Sequence, residues 1–200
     1  MRTRFVSALE NTPLDFKVAC ELALFCGLRR SELYGLHKSD VTDTVTVNKV
    51  RHRLDGKEII DTPKTKSSTR VLSVPKFVQS DVVKLKEVQQ SRPSQSEFLI
   101  LNEFGEPVSH DWANKHLKRI IKDFDLPRIT LHGLRHTYAS MLINAGIPIA
   151  EVSAQLGHAS IDITLRTYTH LFTDASTASK RISDYLDSKV APELAPKGNK

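Results

Sequence analysis

No stretch of this sequence stays apolar long enough to cross a membrane, and no basic-then-apolar leader opens it, so neither membrane insertion nor secretion is expected. Cysteine is nearly absent. Cys20 and Cys26 lie six apart in an expected helix and so point to different faces. That spacing argues against a disulfide framework and predicts buried, reduced thiols of the cytosolic kind. No Cys and His cluster with metal-ligand spacing is visible, and no segment repeats.

What is present fits an ordinary globular chain. Its 200 residues suffice for one domain with a good core, or one domain plus a tail. Hydrophobic residues make up 40% and charged residues 26%. The formal charge of +6 and the pI near 9.3 lean towards an anionic partner, with nucleic acid first among the candidates.

Apolar spacing orders the chain. A small apolar cluster, Phe5, Val6 and Leu9, precedes Thr12-Pro13, a helix start. Leu14, Val18, Leu22 and Cys26 then repeat every four residues, which predicts a buried helix ending at Gly27. Ser31 could cap a short second helix. The period then changes: Val41, Val45, Val47 and Val50, then Ile59 and Ile60, then Val71, Leu72 and Val74 predict three antiparallel strands. Residues 62–70 form the turn between the last two. Helices follow from Pro75 to about Ser91, from Ser109 to Phe124, and at roughly 132–145, 148–156, 160–171 and 175–189, with a disordered tail from about 193. The expected class is mainly α with a small three-stranded antiparallel β-sheet. On the 109–124 helix, Lys115, Lys118, Arg119 and Lys122 gather opposite the apolar side. A basic stripe of this kind is either a solvated face or a contact for DNA phosphates.

The densest chemistry lies between Leu131 and Leu171. There His132 and Arg135 stand three apart near a helix start, and His158 and Tyr168 end two later segments. Metal-free transfer at a phosphodiester needs a nucleophile, positive charge on the non-bridging oxygens and an acid for the leaving alkoxide. Arginine suits the second task, because its planar fork donates two hydrogen bonds to phosphate and keeps its charge. Histidine can donate to the same oxygens or exchange protons near neutral pH. Tyrosine can attack if its proton is removed or its pKa of roughly 10 is lowered.

These residues sit in recognisable surroundings. The run from Leu131 to Ser140, LHGLRHTYAS, then Leu156-Gly157-His158 and Thr167-Tyr168-Thr169-His170 resemble the catalytic signature of the tyrosine recombinases, the phage-integrase family. Gly27 to Leu33, GLRRSEL, resembles the family's first-arginine motif, and Pro63 to Arg70, PKTKSSTR, its lysine-bearing hairpin. Taken singly, each has a plainer use. Arg29 beside Arg30 reads as a surface pair, Lys64 and Lys66 as solvated turn lysines, His132 as a helix-start residue and His158 as a cap. Their joint order and spacing carry the resemblance.

The resemblance implies a tyrosine recombinase catalytic domain over residues 1–172, followed by a C-terminal helix and tail at 173–200. Tyr168 would attack the scissile phosphate to form a 3′-phosphotyrosine. Arg29 and Arg135 would clamp that phosphate, and His132 and His158 would hydrogen-bond it, His132 being the better placed to exchange a proton with the nucleophile. Lys64, with Lys66 next in line, would protonate the leaving 5′ oxygen. No metal, nucleotide or other cofactor is implied. His136 is expected to be packed or hydrogen-bonded as support, Glu32 to orient an arginine, and Tyr34, Tyr138 and Tyr185 to be core or surface residues.

Partners implied are double-stranded DNA and further copies of the chain, as a homo-tetramer on DNA formed from monomers, with DNA-bending accessory proteins. The segment after Phe172 would either dock on its own domain or reach a neighbouring protomer. Cytoplasmic, bacterial or phage-encoded action fits this picture. Two departures stand out. Gly133 occupies a position where the family usually has an acidic residue. The sequence also starts almost at the catalytic motifs, so the N-terminal core-binding domain is expected to be absent and DNA binding by the chain weak and little dependent on sequence. Rival readings are a type IB topoisomerase-like strand transferase and a catalytically silent DNA-binding module.

Overall fold

The computed structural model describes residues 2–54, 57–63, 66–93, 96–171, 179–180 and 183–184. In chain order the elements are α1 (Arg2–Leu9), α2 (Leu14–Phe25), α3 (Arg30–Gly35), β1 (Thr44–Val47), β2 (Val50–Leu54), β3 (Lys57–Asp61), β4 (Arg70–Ser73), α4 (Lys76–Gln90), α5 (Trp112–Asp123), α6 (Leu131–Asn144), α7 (Ile149–Leu156) and α8 (Ile161–Tyr168). Short 3₁₀ turns lie at Lys38–Asp40, Lys66–Ser68 and Thr169–Leu171.

Helix α2 is the centre. Phe16, Val18, Leu22 and Leu24 are shut away from solvent, and each large side chain buried this way contributes about 1.5–3 kcal/mol. The helix also buries Asp15, Lys17 and Glu21, so each needs a partner. Asp15 accepts from the Gln89 amide, the Arg92 guanidinium and the Leu101 backbone N–H, tying the start of α2 to the end of α4. Lys17 bridges to Asp81 of α4 at 2.8 Å. The helix ends where the spacing predicts, at Cys26, with Gly27 left-handed at φ +67°.

The mainly helical class with a small antiparallel component holds, but the strand count differs. Four strands form two ladders: β1 pairs with β4, Val47 opposite Arg70, and β2 pairs with β3, Val50 opposite Asp61. The long valine run breaks at Asn48-Lys49, while on the return side β3 ends at Asp61 and β4 starts only at Arg70. The result is two separate two-stranded ladders in place of one three-stranded sheet. Helix α3 is capped differently from expectation. Arg29, not Ser31, takes the N-cap position, and the Glu32 carboxylate reaches back to accept its backbone N–H at 2.7 Å. The expected helix at 175–189 lies outside the described residues, apart from the helical Ser179, Lys180, Ser183 and Asp184.

Candidate active site

The site grows around one buried carboxylate. Glu32 is 1% exposed and stands between two arginines that arrive from different elements. Arg29 donates from Nη1 to Oε1 at 2.8 Å, and Arg70, at the start of β4, donates from Nη1 and Nη2 to the two oxygens at 3.0 Å each. Arg135 of α6 approaches the same carboxylate at 4.0 Å. Burial alone would raise the Glu32 carboxyl, but Arg70 first and Arg29 second outweigh it and hold it below its ordinary value. Three guanidiniums on one carboxylate leave two positive charges that the cluster itself does not neutralise.

Helix ends aim the arginines. Arg135, 4% exposed, donates from Nη1 to the Gly27 carbonyl and from Nη2 to the Leu156 carbonyl, both at 2.6 Å. Arg29 Nη2 donates to the Gly157 carbonyl at 2.9 Å, and Arg70 Nε to that of Gln155 at 2.8 Å. The carbonyls at the C-terminal end of α7 thus collect all three cations, as expected for the negative end of a helix dipole. Gly157 is left-handed at φ +61°, and a Cβ there would lie 2.8 Å from Arg70 Nη1. Only glycine allows both the turn and the approach. Burial and the charge of Arg29 lower Arg135 to about 9, with Glu32 opposing. An arriving anion would relieve that crowding.

The nucleophile candidate sits beside this cluster. Tyr168 ends α8, is 3% exposed, and its Oη lies 2.7 Å from His136 Nδ1. Burial raises its phenol, against the pull of Arg135, so the free site holds a neutral tyrosine in need of a base. His136 Nε2 lies 2.8 Å from His132 Nε2. Exposed His132 lines a cleft of about 460 Å³ with Arg29, Arg30, Arg51 and Arg135. His158 follows the Gly157 turn, with Nδ1 2.8 Å from the buried Thr164 hydroxyl. Burial, Arg135, Arg29 and Arg70, in that order, push its imidazole down to about 4. A neutral ring that accepts the Thr164 hydroxyl at Nδ1 presents Nε2–H as a donor.

Of the six residues singled out from the sequence, Arg29, Arg135 and His158 converge on the end of α7, and His132 and Tyr168 join through His136. Lys64 lies outside the described residues, and of Lys66 only the backbone of the Lys66–Ser68 turn is described. The lining of a cleft shared with Arg29 and Glu32 includes Pro63 and Ser68, on either side of the lysines. Sequence reasoning missed Arg70. Its signal was the arginine closing the hairpin motif, in front of an apolar strand. Gly133 proves harmless to the helix start, because its N–H is capped by Thr130 Oγ1 at 2.9 Å.

A helical domain that gathers arginines, histidines and a tyrosine from separate elements defines the class. Residues 3–174 match the model of the phage integrase family, and the chain belongs to that family. It is 30% identical to the ICEBs1 integrase of Bacillus subtilis strain 168 over 201 residues, which cover 92% of this chain and 52% of the relative. It is 34% identical to the transposase from transposon Tn916 of Enterococcus faecalis over 178 residues, covering 80% of this chain and 43% of that one. Among solved structures, the Tn1549 transposon integrase in complex with circular intermediate DNA superposes with a TM-score of 0.78 at 25% identity, covering 92% of this chain and 64% of that one. The chain spans about half the length of the curated relatives it matches.

Proposed function

We propose that the chain is the catalytic domain of a site-specific DNA recombinase that cuts and rejoins strands through a 3′-phosphotyrosine, without metal or nucleotide. The observation that carries this reading is the uncompensated positive charge around Glu32, next to the buried Tyr168 hydroxyl. Such a site favours an anion with charge developing on its oxygens, as a scissile phosphate has in the transition state. Arg29 and Arg135 hold the non-bridging oxygens, and His158 Nε2 and His132 donate to them. Tyr168 displaces the 5′ oxygen, and Lys64 protonates it as it leaves. The phosphotyrosine conserves the bond energy, so a 5′-hydroxyl from another strand reverses the step. Family membership and the DNA-bound Tn1549 relative support this reading over a topoisomerase or a silent module.

Assembly as a homo-tetramer on double-stranded DNA from monomers, accessory bending proteins, the 1–172 catalytic unit and action in a bacterial cytoplasm belong to the same proposal. Sedimentation with and without duplex reads the assembly step. The central test uses a pool of nicked duplexes with randomised sequence on both sides of the nick, which traps covalent intermediates. Wild type should form a protein–DNA adduct stable to denaturation, and Tyr168→Phe should form none. An empty pool with wild type, or an adduct that survives Tyr168→Phe, would refute the reading.

A further inference from the structure

The geometry points to His136 as a second catalytic histidine, one that takes the proton of Tyr168 and passes it to His132. This rests on the strand-transfer reading above and adds a residue to it. The observation is a continuous chain of two polar contacts through three side chains. Tyr168 Oη lies 2.7 Å from His136 Nδ1, and the far nitrogen of the same ring lies 2.8 Å from His132 Nε2. His132 and His136 stand four apart on α6, so their rings share one face, edge to face with centroids 4.3 Å apart. The chain begins at a phenol that is 3% exposed and ends at an imidazole open to the cleft that Arg29 and Arg135 line.

One arrangement of protons lets this chain carry the phenolic proton away from Tyr168. Two facing Nε2 atoms at hydrogen-bond distance require a proton on one and a lone pair on the other. With the proton on His136 Nε2, its Nδ1 is free to accept the Tyr168 O–H, and His132 Nε2 accepts in turn. As the Tyr168 oxygen bonds to phosphorus and the bond to the 5′ oxygen breaks, the phenolic proton moves to His136 Nδ1. The proton on His136 Nε2 moves at the same time to His132 Nε2. His136 ends neutral in its other tautomer, and His132 ends as an imidazolium beside the phosphate. Rejoining runs the same transfers backwards.

The surroundings suit a conduit. Among the described residues, the charged and titratable groups facing His136 are His132 and Arg135 on its own helix and Tyr168 on α8, with His158 near enough to sense it. Burial, then His132 and Arg135, lower its pKa, so the ring hands a proton on and does not keep it. His132 cannot replace it, because His136 stands between it and the phenol.

The test uses His136→Phe, which keeps a ring of similar size, and His136→Asn, whose amide can still meet the phenol, on a duplex that the wild-type chain captures from the randomised pool. Single-turnover adduct formation should fall about 10²–10⁴-fold in His136→Phe, the usual share of a general base. The defect should persist when the 5′-bridging oxygen is replaced by sulfur, which leaves without an acid. Rates within threefold of wild type, or faster, would overturn the proposal, the second showing a latch on Tyr168. Rescue by the sulfur leaving group would also overturn it, by placing the defect on the acid side. A separate readout needs no DNA. In ¹⁵N-histidine spectra of the free chain at pH 7, neutral His136 should carry its proton on Nε2, and its Nδ1 shift should move in Tyr168→Phe. A proton on Nδ1, or no response to Tyr168→Phe, would overturn the relay. If wild type captures no duplex at all, strand transfer fails while the spectra still judge the hydrogen-bond chain.

Discussion

Glu32 shows how one side chain can set a whole site. It accepts four hydrogen bonds, from the backbone and side chain of Arg29 and from both terminal nitrogens of Arg70. Removing one partner from a buried ion cluster strands the others, at a typical cost of about 3–5 kcal/mol. Glu32→Gln keeps the shape and deletes the charge, so it should lower unfolding free energy in urea by that order and leave Arg29 held only by the Gly157 carbonyl among its strong partners. Its pH signature is equally specific. The folded carboxyl titrates below the ordinary 4.5, so its stabilisation is complete above 4.5 and is lost as pH falls through the lower folded value. Stability curves of wild type and Glu32→Gln should therefore converge on the acid limb; parallel curves would show that Glu32 is not the charge that matters.

Among the elements, α7 and the hairpin depend on each other. Gly157 closes α7, and its missing Cβ is the space that Arg70 fills on its way from β4 to Glu32. Gly157→Ala should cost about 1–2 kcal/mol for the left-handed turn. It should also displace Arg70, slowing adduct formation more than the lost stability alone explains. Chemical denaturation and single-turnover cleavage, measured side by side, separate the two effects.

This coupling also marks what the sequence could reveal. Helices were legible because glycine and proline punctuate them: Gly27 after α2, Pro75 before α4, Pro148 and Gly157 around α7. The break at Asn48-Lys49 has no such marker inside a valine-rich run, so β1 and β2 read as one strand. Arg29, His132, Arg135, His158 and Tyr168 stood in motifs. Arg70 and His136 act through residues remote in sequence or on another helix, and spacing alone does not name those partners.

Taken whole, the molecule carries two opposed pH dependences. Glu21, buried against Asp81 in the α2–α4 interface, is raised to about 8 by burial first and Asp81 second. Its contribution is full below the ordinary 4.5 and is lost as pH rises towards 8, because the unfolded carboxyl ionises first. His158 has the opposite sign: its folded value near 4 lies below the ordinary 6.5, so stability falls as pH drops from 6.5 towards 4. Glu21→Gln should gain about 1–2 kcal/mol over wild type at pH 8 and little at pH 5 in urea unfolding, a figure reduced for screening near Lys17.

The largest-scale prediction concerns the basic face of α5. Lys115, Lys118, Arg119 and Lys122 are all exposed, yet they do not share one setting. Lys115 and Lys118 line a cleft with Arg128, Asn114 and Thr130, and the last two also line the arginine cleft that holds His132. Arg119 instead pairs with Asp123 at 3.5 Å. A duplex seated with its phosphate at Arg29 and Arg135 would therefore run past Lys115 and Lys118 and miss Arg119 and Lys122. Each lysine that neutralises a phosphate contributes about one to the slope of log affinity against log salt. Anisotropy titrations of a duplex across a salt series should show that slope shrink by about one for Lys115→Ala and again for Lys118→Ala. Arg119→Ala and Lys122→Ala should leave it unchanged. An equal effect at all four positions would mean that the stripe acts only as diffuse charge, and that the path of the duplex across the protein lies elsewhere.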